Sequence, residues 1–231
     1  KIISDKLKEI RDRILKLKLI FVELEDEDDA YLIFEILNTR GKDLRLSDLV
    51  KSYITKLLKP TNVNVDLSKD AWNKMVELIE QSSSELSFDS FLHHFWLSKY
   101  DYVTVKKLYK KLKGVITSKK TAKTFLDELS DNAIIYREIH ETPFRKWQKE
   151  ESNIKRSLEA LNLFRVKQDL PMIVSIMRAY KLKRLKLKSV EDILSAIENF
   201  HFMFTAVTSQ RSSGGISFMY ALSARELEKA I

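Results

Sequence analysis

The sequence predicts a mainly α protein, a multi-helical bundle with at most one or two short strands near its N-terminus. The chain has 231 residues, of which 44% are hydrophobic, and that is enough to bury a sizeable core. It contains only 4 glycines and 3 prolines, too few for the many tight turns of an all-β sandwich. Apolar side chains recur every three or four residues along most of the chain, which is the period of an amphipathic helix.

The segment up to residue 59 is predicted to hold a helix, one strand and two further helices. An apolar stripe marks the first helix, and it consists of Ile3, Leu7, Ile10, Ile14 and Leu17. The continuous β-prone run from Leu19 to Leu24 is the candidate strand. A helix from Ala30 to Leu37 follows an acidic run, which suits the positive end of a helix dipole. Ser47 is a candidate N-cap for a helix that ends near Leu58.

A polar connector at residues 60–68 is the predicted boundary between a first segment, residues 1–59, and a helical domain, residues 60–231. Beyond the connector, apolar spacing predicts helices around residues 72–79, 88–96, 105–112, 121–136, 154–161, 171–180, 189–204 and 219–227. Thr121 is expected to begin one of these helices. Ser189, as part of a capping box, is expected to begin another. A polar loop is expected at residues 209–215.

The basic character of the chain indicates a polyanionic partner. The net charge is +8, and phosphate contacts made by basic residues release counterions from nucleic acid. The candidate DNA contacts are Lys106, Lys107, Lys110 and Lys111 in one cluster and Lys183, Arg184 and Lys186 in another. Lysine-rich clusters favour non-specific phosphate contact over reading of the bases. The alternative is a solvated surface, since 33 acidic residues accompany the 41 basic ones.

Two loops are candidate phosphate or nucleotide sites. The first is a turn ahead of a helix, where Asn38, Arg40, Gly41 and Lys42 lie close to the free N–H groups of the next helical turn. The second contains Arg211 beside serines and glycines, which can hold a phosphate, although it lacks the spacing of a P-loop. The alternative for both is an ordinary interhelical turn with exposed charges.

The sequence shows no complete catalytic site and no metal site. There is no cysteine for a thiolate site. His93 and His94 are adjacent, so they are expected to point to different sides of a helix. The acidic run lacks the EF-hand pattern, and no Ser-His-Asp arrangement follows from spacing. The chain itself is therefore not expected to catalyse a reaction or to hold a cofactor.

The sequence also lacks membrane-spanning and signal-peptide patterns. No run of about 18 apolar residues occurs, so no membrane partner is expected. The lack of cysteine and of a signal peptide agrees with a cytoplasmic location. The chain begins at Lys1 inside a helical pattern, which indicates a fragment of a longer protein.

One motif carries a resemblance to a known family. It passes from the acidic run through Ala30 and Phe34-Glu35-Ile36-Leu37-Asn38-Thr39-Arg40-Gly41 to Leu46-Ser47-Asp48-Leu49-Val50-Lys51. Between Leu19 and Tyr53 this pattern resembles the N-terminal domain family of GmrSD-type restriction endonucleases. Members are ParB/sulfiredoxin-like proteins of bacterial anti-phage defence. An Asp-Gly-Gln-Gln-Arg motif handles nucleotide in them, and many end in an HNH nuclease domain.

The resemblance implies that residues 1–59 end a ParB-like nucleotide-handling domain and that residues 60–231 form the helical middle of the protein. Neither the Asp-Gly-Gln-Gln-Arg motif nor an HNH signature occurs in this chain. The implied whole protein is an NTP-dependent endonuclease that uses a divalent metal, with nucleotide bound by the missing N-terminal portion. This chain would be its scaffold and DNA-contact module. The alternative is a stand-alone helical adaptor that binds other proteins.

Overall fold

The computed structural model describes residues 2–17, 45–58, 67–204 and 214–230. Within these ranges all regular secondary structure is helical and no strand occurs, so the predicted mainly α fold is confirmed. The helices are α1 (Ile2–Leu15), α2 (Leu46–Leu58), α3 (Leu67–Glu80), α4 (Phe88–Leu97), α5 (Val105–Val115), α6 (Lys119–His140), α7 (Ser152–Phe164), α8 (Leu170–Lys181), α9 (Leu187–Phe202) and α10 (Gly214–Ala230). Two short 3-10 helices, Thr142–Phe144 and Lys149–Glu151, connect α6 to α7.

Several predicted elements lie outside the described residues. They are the strand at Leu19 to Leu24, the helix from Ala30 to Leu37, the turn at residues 38–42, most of the connector at residues 60–68 and the loop at residues 209–213. These predictions, and the assignment of residues 1–59 to a nucleotide-handling domain, stay predictions.

The chain divides into two compact units, residues 1–43 and residues 44–231. In the first unit the described part is α1 and the two residues after it. Its predicted apolar stripe includes Leu7, Ile10, Ile14 and Leu17, which expose 54–65% of their surface. The second unit contains α2 to α10 and a continuous hydrophobic core.

The centre of the second unit is α8. Every residue from Ile173 to Ala179 is buried, including the polar Ser175 and the charged Arg178, so this stretch of the helix is covered on all sides. It packs against α4, α6, α9 and α10. Among the described helices, none combines the length and the apolar character that crossing a bilayer requires.

The aromatic helix α4 supplies much of the core, as its spacing predicts. Phe88, Phe91, Phe95 and Trp96 are buried, and the ring of Phe91 lies 5.1 Å from that of Tyr136 on α6. Burial of large aromatic side chains stabilises each by roughly 1.5–3 kcal/mol relative to exposure. These aromatic residues pack one part of α4 into the core, and His93 and His94 of the same helix line a cleft.

A charged side chain is also buried in this core. Arg178 on α8 is only 7% exposed. Its guanidinium donates to the Oγ and backbone O of Ser98 at 3.1 and 3.0 Å, to Oδ1 of Asn132 at 2.9 Å and to Oε2 of Glu228 at 2.8 Å. These partners lie at the end of α4, on α6 and on α10. The buried guanidinium therefore joins three neighbouring helices, and its hydrogen bonds offset the cost of its burial.

Helix beginnings differ from the sequence-based expectations. Ser47 lies inside α2 and is buried, so it is not the N-cap. Asp89 of α4 instead accepts hydrogen bonds from the backbone N–H groups of Leu46 and Ser47, at 3.1 and 2.9 Å. Thr121 does not begin α6. That helix starts at Lys119 behind Ser118, and Thr121 completes the capping box with Ser118.

Two further boundaries are corrected by the structure. Ser189 lies within α9, whose first residue is Leu187, so the predicted capping box is absent there. Because the helix begins two residues earlier, Ser189 is not at its N-cap, and Asp192 forms an exposed ion pair with Lys188 at 2.8 Å. Gly214 and Gly215, predicted to end a loop, form the first residues of α10. Helix starts tolerate glycine.

Candidate functional site

The first candidate surface is the exposed face of α5. Leu108 and Leu112 are fully buried and hold the helix against the core. The predicted DNA contacts, Lys106, Lys107, Lys110 and Lys111, are exposed on the remaining surface of the helix. We call these four residues the α5 lysine face.

Few acids balance the α5 lysine face. Lys111 lies 3.6 Å from Asp101, a weak pairing between two half-exposed groups. Lys106, Lys107 and Lys110 form no ion pair with any carboxylate that the structure describes. A groove of about 650 Å³ runs beside the face and is bounded by Lys107, Lys110 and Lys111 together with Tyr102 and Val103. The face therefore offers several uncompensated positive charges along one groove.

The second basic cluster lies in the turn between α8 and α9. Lys183, Arg184 and Lys186 are exposed there. The Lys183 N–H donates to the carbonyl of Tyr180, and the Arg184 N–H donates to the carbonyl of Ala179, both at 2.9 Å. These bonds close the end of α8, where positive charge is favoured by the helix dipole. The backbone of this turn therefore closes α8, and its basic side chains lie on the surface.

The candidate phosphate residues from the sequence, Asn38, Arg40, Gly41, Lys42 and Arg211, lie outside the described residues. The structure does not test the role of these five residues.

A cleft that the sequence did not predict opens beside α4. Its volume is about 880 Å³, and it lies between α4 and the connection from α7 to α8. His93 and His94 line it on one side, and Arg165 and Lys167 line it on the other. Although both histidines line the cleft, they have different hydrogen-bond partners, Val103 for His93 and Tyr136 for His94. The sequence carried no signal for it, because its walls come from segments far apart along the chain.

A smaller cavity of about 340 Å³ adjoins the cleft. His94, Arg165 and Lys167 line both spaces, whereas Ser87 and His140 line only the smaller one. Asn162 at the end of α7 donates from Nδ2 to the backbone carbonyls of Ile139 and His140, at 2.8 and 3.3 Å. The Asn162 side chain therefore joins α7 to the end of α6, and both Asn162 and His140 line the smaller cavity.

The histidines around the cleft are neutral near pH 7. Burial lowers the pKa of His94 to about 3 and that of His140 to about 4. Burial also lowers the pKa of His93, whose Nε2–H donates to the carbonyl of Val103 at 2.8 Å. His94 Nδ1 is hydrogen-bonded to the Tyr136 hydroxyl at 2.9 Å. These rings can therefore serve as hydrogen-bonding groups, and the positive charge of the cleft comes from elsewhere.

That positive charge belongs to the connection between α7 and α8. Arg165 has a left-handed backbone, with φ of 56°, and it ends α7 in a position usually taken by glycine. Neither Arg165 nor Lys167 forms an ion pair with a described carboxylate. The larger cleft has no acidic residue in its lining. The arrangement is suited to a bound anion.

A buried polar cluster lies deeper, at the start of α8. Asp169 is 1% exposed, and neither of its carboxyl oxygens has a hydrogen-bond partner in the described structure. His201 Nε2 lies 3.8 Å from Asp169 Oδ2 and is hydrogen-bonded to the Tyr220 hydroxyl at 3.0 Å. Burial raises the pKa of Asp169 to about 7 and lowers that of His201. With the carboxyl protonated and the imidazole neutral, this contact is not a salt bridge.

The described residues contain no group of three or more His, Cys, Asp or Glu side chains placed to hold a metal ion. The structure thus brings together two kinds of feature in its second unit, a lysine-lined groove and a cationic cleft lined by neutral histidines. Comparison of the chain with protein-family models, with curated proteins and with solved structures gave no match.

Proposed function

We propose that the helical unit is a non-catalytic DNA-contact module of a GmrSD-like restriction protein, acting in the cytoplasm. The observation that carries the proposal is the α5 lysine face, where three of the four lysines have no carboxylate partner among the described residues. The family attribution rests on the motif between Leu19 and Tyr53. In this proposal the nucleotide-handling and nuclease functions, with NTP and a divalent metal, belong to other parts of the protein.

The dimensions of α5 agree with contact to a phosphate backbone. Its 11 residues span about 16 Å, at 1.5 Å per residue, which corresponds to about five base pairs of duplex. The side chains are lysines, which act as point charges and lack the planar fork that arginine uses to read guanine. Binding is therefore expected to be independent of sequence.

The decisive experiment measures duplex binding at several salt concentrations. The test variant is Lys107→Glu/Lys110→Glu/Lys111→Glu, and the matched control is Lys74→Glu/Lys146→Glu/Lys149→Glu, which makes the same charge change at exposed lysines outside the groove. We expect weak binding by the wild type and weaker binding by the test variant to every duplex alike. The dependence of log affinity on log salt should flatten by about one unit per lost contact. No wild-type binding at low salt, or equal loss in the control, would reject the proposal.

One observation favours a second function, that of a protein-binding adaptor. Large apolar side chains are exposed at the end of α9 and on α10, and they include Phe202, Met203, Phe218 and Met219. Exposed apolar clusters are typical of protein interaction surfaces. The full gene separates the two functions, since an upstream Asp-Gly-Gln-Gln-Arg motif and a downstream HNH domain would favour the restriction protein. Their absence, together with undetectable DNA binding, would favour the adaptor.

A further inference from the structure

We infer that the cleft between α4 and the α7–α8 connection binds a phosphate monoester attached to a flat or apolar group, with Arg165 and Lys167 as the phosphate-binding side chains. The inference does not depend on DNA contact by α5, because neither cation belongs to the α5 lysine face.

The first support is charge. The cleft is lined by two cations and by no acid, and the adjoining smaller cavity has one acid, Glu85, in its lining. An exposed cation on a protein surface usually has carboxylates nearby, and Asp and Glu make up 33 residues of this chain. Yet Arg165 and Lys167 pair with no carboxylate in the described parts of the chain. Two uncompensated charges separated by one residue, facing the same concave space, favour an anion with a double charge over a carboxylate.

The second support is the set of neutral polar groups around these cations. Thr104, Gln168 and Ser217 contribute hydroxyl or amide groups to the lining, and His94 contributes an imidazole. In the adjoining cavity, His140 Nε2 is buried without a hydrogen-bond partner in the described structure. A phosphate has several acceptor oxygens, so a site for it requires multiple donors rather than a single charge. The lining meets that requirement.

The third support is the apolar part of the lining. Leu97, Val103, Val105 and Phe164 contribute to it, and Tyr102 stands at the rim with 41% of its surface exposed. The ring of Tyr102 is held edge-on by Phe218, with centroids 5.2 Å apart. A volume of about 880 Å³ lies within the range of small-molecule sites, of about 300–1,000 Å³. The space is therefore large enough for a phosphate and an attached ring.

The ligand chemistry has two possible sources. One is a free phosphorylated small molecule. The other is the terminal phosphate of a nucleic acid strand, because Tyr102 and Val103 line both this cleft and the groove beside the α5 lysine face. The phosphate contacts would be the same in both cases, and the two sources can be distinguished by experiment.

The test is calorimetric titration of the full chain with inorganic phosphate, with adenosine 5′-monophosphate, and with a short single strand that carries either a 5′-phosphate or a 5′-hydroxyl. The test variant is Arg165→Ala/Lys167→Ala. The control is Arg156→Ala/Lys146→Ala, which removes the same charge from exposed positions outside the cleft. We expect the mononucleotide, the phosphorylated strand or both to bind, with affinity at least tenfold lower in the test variant and unchanged in the control. Preference for the phosphorylated strand over the hydroxyl strand identifies a strand end as the source.

A second measurement guards against a variant that fails to fold. The ring-proton NMR signals of His93 and His94 should shift when the phosphorylated probe that binds in calorimetry is added to the wild type, and the shift should be absent in the single variant Lys167→Gln. Absence of binding by both phosphorylated probes would overturn the inference, as would equal binding by wild type and test variant. Inorganic phosphate binding as tightly as the mononucleotide would overturn the assignment of an attached ring.

Discussion

Replacing Asp169 with asparagine should remove a large pH-dependent term from the stability of the second unit. The carboxyl group is buried, both oxygens lack hydrogen-bond partners in the described structure, and the pKa rises from 3.8 to about 7. The folded state therefore keeps the proton of Asp169 at a pH where the unfolded chain has released it. The stabilising contribution is fully present below about pH 4 and is lost as the pH rises to about 7.

The magnitude follows from the size of the pKa change. Each unit corresponds to about 1.4 kcal/mol, so a rise of about three units gives a loss of about 4 kcal/mol between pH 4 and pH 7. Asp169→Asn cannot ionise and should not show this loss. The free energy of unfolding of the variant, relative to wild type, should therefore increase by about 4 kcal/mol across that interval.

The assay is urea denaturation followed by circular dichroism at a series of pH values. Subtracting the two profiles cancels the titration of groups distant from Asp169. His201 lies 3.8 Å from Asp169 and its lowered pKa acts in the opposite direction, so the double variant Asp169→Asn/His201→Gln is compared with His201→Gln in the same way. Asp131→Asn, at an exposed position on α6, is the matched control and should give a profile parallel to wild type. A constant difference between Asp169→Asn and wild type at every pH would refute the reasoning.

Two further changes test the packing and the helix boundaries. Arg178→Ala should lower the free energy of unfolding by about 3–5 kcal/mol, because Glu228 and Asn132 lose a buried charged partner. The control Arg156→Ala, at an exposed position, should lower it by less than about 0.5 kcal/mol in the same denaturation experiment. Ser118→Ala should lower the free energy of unfolding by about 1 kcal/mol, since the Ser118 hydroxyl accepts a hydrogen bond from the Thr121 N–H at 3.2 Å. The amides at the start of α6 should then exchange faster with solvent. Unchanged exchange there would argue against the capping box.

The helices were predictable because burial imposes a period on the sequence. In α3, for example, Trp72, Met75 and Ile79 lie on one buried face, which is the face that their spacing predicts. Helix starts were less predictable, because a cap depends on which side chain reaches the free N–H groups. Ser118 caps α6, whereas the sequence pattern indicates Thr121, three residues later, as the first residue of that helix.

The candidate sites were predictable to very different extents. The exposure of the α5 lysines followed from the sequence, since Leu108 and Leu112 define the buried side of that helix and the lysines occupy the rest. The cleft could not be predicted in this way. His94 and Arg165 are brought together only by the tertiary packing, and no local pattern connects the two positions. Binding of DNA or phosphate by either surface stays a prediction.

The hydrogen bonds from Leu46 and Ser47 to Asp89 have a consequence for how the second unit folds. The start of α2 is completed by a carboxylate more than 40 residues later in the chain. While α4 is unfolded, the first turn of α2 has no partner for these N–H groups except water, and a 13-residue helix is marginal alone. The two helices should therefore gain protection from amide exchange in a single kinetic phase. A ribosome would have to release the chain well past Asp89 before α2 could persist.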